Sequence, residues 1–236
     1  MSNSIARRFR YHALLIACGL AVACTSPASA REPVAGKLHR FESEIAAFEK
    51  WDRQNAFPKD GILFVGSSSV RLWQTAESFS DLPVINRGFG GSSISDVNNF
   101  FDRLVPKYKP RVIVFYSGDN DIAGGMSAQK TFEDFQRFVH SAHEQVPEAR
   151  ILVLSIKPSI ARRKLWPEMK RANSLIAKLA DDDPHLDYVD IAAPMLNPAG
   201  EPRKELFRDD GLHLNAAGYD LWDGVLGPYL RNANKQ

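Results

Sequence analysis

The sequence predicts an α/β fold in which helices cover both faces of a parallel sheet. Three observations carry this expectation. Short, continuously apolar runs recur along the chain, amphipathic stretches of helical period separate them, and the runs stop at glycine or proline. A run that is apolar at every position suits a strand buried on both faces, as in parallel sheets. Strands alternating with helices imply right-handed crossovers.

The elements follow in order. Lys37 to Gln54 reads as an amphipathic helix, with Leu38, Phe41, Ile45, Phe48 and Trp51 at helical spacing. Pro58-Lys59-Asp60-Gly61 is a turn, and Ile62-Leu63-Phe64-Val65 is the first strand, ended by Gly66. Pro83 to Asn86 is the second strand, ending at Gly88, and Val112 to Tyr116 the third, ending at Gly118. Phe132, Phe135, Phe138, Val139 and Ala142 form one stripe of a helix starting near Ser127 or Thr131. Ile151 to Ile156 is the fourth strand, ending at Pro158. Met169, Ala172, Leu175, Ile176 and Leu179 mark the next helix, and Leu186 to Ile191 is the fifth strand, ending at Pro194. The last helix starts near Asn215 and carries Leu221, Trp222, Val225, Leu226 and Tyr229; Gly227-Pro228 is expected to kink or end it.

Residues 1–30 read as a secretory signal peptide. Arg7, Arg8 and Arg10 precede an apolar stretch from Ala13 to Ala23, and Pro27-Ala28-Ser29-Ala30 ends in a small-x-small cleavage pattern. The apolar stretch is short and wrongly flanked for a membrane span. A weaker lipoprotein pattern, Ala21-Val22-Ala23 before Cys24, competes with it. The expected product is exported, periplasmic or secreted. Cleavage removes both cysteines, Cys18 and Cys24, which excludes thiol nucleophiles and cysteine metal sites from the mature chain. Basic and acidic residues number 30 and 28, a balance that excludes nucleic-acid binding by general electrostatics. The remaining domain of about 200 residues is long enough for one core. Residues 31–60 are expected to pack on a single domain formed by 61–236.

Sites in such sheets form outside the carboxyl ends of the strands. The first strand ends in Gly66-Ser67-Ser68-Ser69, with serines near a helix start, where free N–H groups favour a developing anion; plain helix capping is the alternative. The G-x-S-x-G elbow is not met, because Val70 stands at its second glycine. The second strand ends in Gly88-Phe89-Gly90-Gly91-Ser92, where glycines can bring a bare N–H close to a substrate oxygen. Ser93 breaks the dinucleotide pattern G-x-G-x-x-G. The third strand ends in Gly118-Asp119-Asn120-Asp121, where an asparagine amide can serve an oxyanion or merely close an Asx turn. After the fifth strand, Asp210 and His213 stand three apart, a spacing that lets the carboxylate orient the imidazole. Together these segments supply a nucleophile, oxyanion donors, a base and its orienter, the set that acyl transfer requires.

On these four blocks, spanning Ile62 to Tyr219, the chain resembles SGNH hydrolases of the GDSL esterase/lipase superfamily, including the bacterial secreted branch similar to platelet-activating factor acetylhydrolase subunits. The resemblance implies a flavodoxin-like three-layer α/β/α sandwich, with five parallel strands in the order 2-1-3-4-5. It implies Ser68 as nucleophile, Asp210 and His213 as orienter and base, and Ser68, Gly91 and Asn120 as the oxyanion hole. It implies a carboxylic ester substrate on a small molecule or glycan, and neither metal nor cofactor; the lack of a long insertion to cover the pocket favours short acyl groups. The chain departs from the family at Ser67, where an aspartate is usual, and at Ser69, where a leucine is usual. Ser67 is therefore the second choice for the nucleophile. A secreted carbohydrate- or ligand-binding module that keeps the fold without the chemistry is the alternative function.

Other residues receive simpler readings. His140, His143 and Glu144 read as a solvated helix face rather than a metal site. Arg162-Arg163-Lys164 reads as a solvated loop, with contact to an anionic or sugar substrate as the alternative. Asp181 to Asp183 reads as a frayed helix end, because carboxylates there oppose the dipole. Trp73 reads as core or pocket wall.

Overall fold

The computed structural model describes residues 39–233; the expected signal peptide and cleavage pattern lie outside them. In chain order the strands are β1 Ile62–Gly66, β2 Val84–Gly88, β3 Val112–Tyr116, β4 Arg150–Leu154 and β5 Leu186–Val189. The helices are α1 Glu42–Gln54, α2 Ser68–Arg71, α3 Thr75–Ser78, α4 Ile94–Asn99, α5 Phe101–Leu104, α6 Asp119–Ala123, α7 Ala128–Gln145, α8 Trp166–Asp182 and α9 Ala216–Ala233. The strands form one all-parallel sheet in the order β2-β1-β3-β4-β5, as expected.

The two-residue period of a strand divides its apolar run between two cores. Leu63, Val65, Ile113, Phe115, Ile151 and Val153 point to one face, where Phe41 and Ile45 from the N-terminal segment, Val97, Leu104, Phe135, Phe138 and Ile176 cover them. Ile62, Phe64, Val112, Val114, Tyr116, Leu152 and Leu154 point to the other, against Trp73, Phe79, Trp222, Leu226 and Leu230. Trp73 is thus a core residue, 2% exposed, its indole N–H donating to Asp223 at 2.8 Å.

Several boundaries differ from expectation, each for a local reason. The first helix starts at Glu42, since His39, Arg40 and Phe41 form a turn in which the Glu42 N–H donates to the His39 carbonyl; Lys37 and Leu38 lie outside the described residues. β4 stops at Leu154 because the Asn173 side chain takes over the Ile156 backbone, accepting from its N–H at 2.7 Å and donating to its carbonyl at 2.9 Å. β5 stops at Val189 because Asp190 Oδ1 accepts from the N–H groups of Ala192 and Ala193, bending the chain into an Asx turn. The helix of the Phe stripe, by contrast, begins where expected, after Ser127, whose hydroxyl accepts from the Lys130 N–H.

The expected break at Gly227-Pro228 does not end the last helix, which runs on to Ala233. Trp222 and Leu226 before the proline and Leu230 and Ala233 after it are all buried in the same core, so packing on both sides outweighs the lost backbone bond. Nor is the Asp181–Asp183 segment frayed. The Asp183 N–H donates to the Ala180 carbonyl, and its carboxylate accepts from the His185 N–H and lies 3.4 Å from His143.

Among the described residues, no helix is long and apolar enough to cross a membrane.

Candidate active site

The sharp turn after β1 depends on glycine. Gly66 has φ of 142°, and a Cβ there would stand 1.8 Å from the Tyr116 carbonyl oxygen of the neighbouring strand. The chain therefore turns directly into α2, whose first residue is Ser68. Gly88, at the end of β2, is also pinned, for a Cβ would meet the Arg71 backbone nitrogen at 2.5 Å.

The three adjacent serines occupy different environments. Ser67 is fully buried, and its Oγ has no hydrogen-bond partner among the described residues. Ser69 is buried, and its carbonyl accepts from the Tyr219 hydroxyl. Ser68 alone of the three reaches the histidine: its Oγ lies 3.1 Å from His213 Nε2, across 145 residues of chain. His213 Nδ1 lies 2.6 Å from Asp210 Oδ2. An ionised carboxylate only accepts, so Nδ1 carries the ring proton and Nε2 presents its lone pair to the serine hydroxyl.

Asp210 is anchored on its other oxygen. Oδ1 accepts from the backbone N–H groups of Leu212 and His213, each at 2.9 Å. The hydrogen bond from the His213 side chain, aided by these amides, holds the Asp210 carboxyl well below the usual carboxylate range. Gly211, at φ of 62°, makes the tight turn that puts both residues on one side. The His213 and Asp210 side chains are 27% and 47% exposed, so the row opens to solvent.

The remaining two blocks join the same place. The Phe89 N–H donates to the Gly66 carbonyl, and the Ser92 hydroxyl donates to the Phe89 carbonyl, tying the glycine loop to the end of β1. Asn120 Nδ2 donates to the Ser92 carbonyl at 2.9 Å, which sets the amide beside the residue after Gly91. Gly91 is exposed at φ of 75°. The backbone N–H groups of Ser68 and Gly91 donate to no acceptor among the described residues.

Two polar residues at this site, Asp119 and Lys157, went unassigned in the sequence, and a third, Arg162, was read otherwise. Arg162 Nη2 donates to Asn120 Oδ1 at 2.8 Å, and its Nη1 lies 3.0 Å from Asp119 Oδ2. Lys157, 1% exposed, donates to the same Asp119 oxygen at 2.9 Å and to the Tyr116 hydroxyl at 3.2 Å. Burial alone would push the Asp119 carboxyl up; the charges of Lys157 and Arg162 outweigh it and hold the group below its ordinary range. The solvated-loop reading thus fails for Arg162 and stands for Arg163, which is exposed and pairs with Glu201. The signal lay in the sequence as a basic run after a strand end, but nothing local told the inward arginine from its outward neighbour.

His140 and His143 turn to different carboxylates, Glu144 and Asp183. Among the described residues, no group of three or more His, Cys, Asp or Glu side chains is placed to hold a metal ion.

Residues 66–221 match the model of the GDSL-like lipase/acylhydrolase family. The chain belongs to that family. It is a hydrolase of the GDSL type by that membership. Among known proteins it is similar to the platelet-activating factor acetylhydrolase IB subunit alpha1 of Bos taurus, with 25% identity over 169 residues, covering 67% of this chain and 69% of the relative. Among solved structures it is similar to a platelet-activating-factor candidate from Streptococcus pneumonia, with TM-score 0.73, 23% identity and coverage of 80% and 92% of the two chains. It is also similar to an acetyl xylan esterase, with TM-score 0.62, 22% identity and coverage of 72% and 98%. At these identities the two structures establish the shared fold, which is the one observed here.

Proposed function

We propose that this protein is a serine esterase that hydrolyses carboxylic esters through an acyl-enzyme. The observation that carries the reading is the row Ser68 Oγ, His213 Nε2, His213 Nδ1, Asp210 Oδ2, with separations of 3.1 and 2.6 Å at its two hydrogen bonds. His213 takes the Ser68 proton as Oγ attacks the ester carbonyl, and Asp210 steadies the imidazolium that forms. The negative charge on the carbonyl oxygen is met by the N–H groups of Ser68 and Gly91 and by the second amide hydrogen of Asn120. His213 then protonates the leaving alcohol, and water repeats the sequence on the acyl-enzyme. The base works only as neutral imidazole.

For the substrate we favour a short acyl group on an alcohol or sugar. The similarity to a protein named as an acetyl xylan esterase supports this class, as does the openness of the Asp210–His213 side. The sequence pattern of residues 1–30 supports an exported enzyme.

The test is hydrolysis of p-nitrophenyl acetate by the wild type and by Ser68→Ala, with fluorophosphonate labelling mapped by mass spectrometry. Labelling at Ser68 and loss of activity in the variant are expected. A wild type that neither hydrolyses esters nor takes the label is a binding module, and the proposal fails.

A further inference from the structure

We propose that Arg162 is a positioning residue that locks the Asn120 side-chain amide with its nitrogen facing the reacting oxygen. The proposal rests on the assignment of Asn120 as an oxyanion donor and adds to it the device that makes the donor directional.

An asparagine amide has a donor end and an acceptor end of nearly equal shape, and a half-turn about its last bond exchanges them. With the oxygen turned to the site, the same side chain would repel the developing oxyanion. Two neighbours forbid that orientation here. Guanidinium has only donors, so the amide atom 2.8 Å from Arg162 Nη2 must be the oxygen. The Ser92 carbonyl has only acceptors, so the amide atom 2.9 Å from it must be the nitrogen. Both constraints select one orientation. It leaves one N–H on Ser92 and the other free for the substrate.

Arg162 is itself held in place. Its Nη1 lies 3.0 Å from Oδ2 of Asp119, the residue before Asn120, and buried Lys157 holds the same oxygen at 2.9 Å. Lys157 and Arg162 both follow β4, while Asp119 and Asn120 follow β3. The same loop reaches the base side as well, since the Ala161 N–H donates to the Gly211 carbonyl at 3.0 Å. One segment thus bridges the Asn120 amide and the turn that carries Asp210 and His213. Planarity explains the choice of arginine: a single group meets Asn120 and Asp119 with different nitrogens, which an ammonium cannot do in the same geometry.

The experiment is a double-mutant cycle on p-nitrophenyl acetate hydrolysis, using wild type, Arg162→Ala, Asn120→Ala and the double variant. The expected result is a kcat loss of roughly 10- to 100-fold in Arg162→Ala with KM changed by less than about threefold, because the lost interaction acts on the transition state. In the Asn120→Ala background, removing Arg162 should cost little more. A second pair guards against misfolding. Arg162→Gln keeps a donor for Asn120 and should retain more kcat than Arg162→Met, with both melting as cooperatively as the wild type. The Asn120 side-chain amide signals in an NMR spectrum of the nitrogen-15-labelled protein should shift or broaden in Arg162→Met, where the amide is no longer held to one orientation from its oxygen side. An active wild type whose Arg162→Ala and Arg162→Met variants keep kcat within twofold overturns the positioning role. So do losses at Arg162 and Asn120 that multiply. A wild type with no esterase activity and no label at Ser68 overturns the esterase reading, and this inference with it.

Discussion

Replacing Asp210 by asparagine tests the hydrogen-bonded row at its most directional point. Asp210 Oδ1 accepts from two backbone N–H groups, Leu212 and His213, while Oδ2 faces His213 Nδ1 at 2.6 Å. An asparagine there has one oxygen to place. Set on Oδ1, the oxygen keeps both backbone bonds; set on Oδ2, it leaves an NH2 pointing at two N–H groups. The first arrangement keeps both backbone bonds where the second sets donors against donors, so the first wins. The amide NH2 then faces Nδ1, which must accept, and the ring proton moves to Nε2, the atom that faces Ser68. A protonated Nε2 cannot take the serine proton. Fixing the wrong tautomer of such a base lowers kcat by about 10⁴, or roughly 5.5 kcal/mol at about 1.4 kcal/mol per factor of ten. The backbone turn is preserved, so the melting temperature should change little. The assay is steady-state hydrolysis of p-nitrophenyl acetate from pH 5 to pH 9, alongside thermal unfolding of both proteins. An Asp210→Asn enzyme that folds normally and keeps more than a tenth of wild-type kcat at pH 8 refutes the reasoning.

Other outcomes follow from the same geometry. Ser68→Ala should lose on the order of 10⁴–10⁶ in kcat, while Ser67→Ala, which removes a buried hydroxyl with no partner among the described residues, should keep most activity; the reverse result would shift the nucleophile by one residue. Asn120→Ala should lower kcat by about 10²–10³ in the same acetate assay, with Ser68 still labelled by fluorophosphonate. Burial pushes the Asp121 carboxyl up to about 7, against the Ile94 N–H that it accepts from, with Asp119 and Asp134 adding like charge. The unfolded chain ionises this group near its ordinary value of about 4, so stability attributable to it falls as pH rises from there to about 7 and is flat above. Urea unfolding should therefore show the wild type losing roughly 2–3 kcal/mol relative to Asp121→Asn between pH 5 and pH 8, and a difference independent of pH would contradict the assignment. Phe138 is fully buried, with its ring 4.3 Å from that of Phe115, so Phe138→Ala should destabilise the fold by about 3–5 kcal/mol in the same measurement.

Much of this architecture was legible in short stretches of sequence because its causes are short-ranged. Strand type follows from apolar runs such as Val112 to Tyr116, and the turns follow from residues such as Gly66, whose conformation few side chains tolerate. The candidate site residues could be named because local markers drew attention to their segments, glycines at the ends of the first three strands and Asp210 three before His213 in the loop beyond β5, and because the family resemblance then gave each a role. What escaped is non-local. Strand ends were overrun where a distant side chain cut the ladder, as Asn173 does at Ile156. The helix break at Pro228 was overruled by core packing on both of its sides.

By itself, then, the sequence determined the alternation of strands and helices, the family-like blocks and the residue types able to carry acyl transfer. Only the tertiary structure decided which of three adjacent serines meets His213, that Trp73 belongs to the core, and that Arg162 turns inward to Asn120 while Arg163 faces solvent. The physical reason is range. Backbone preference and apolar period act over a few residues, whereas the direction of a hydroxyl or guanidinium is set by partners dozens to more than a hundred residues away, which meet only when the sheet assembles.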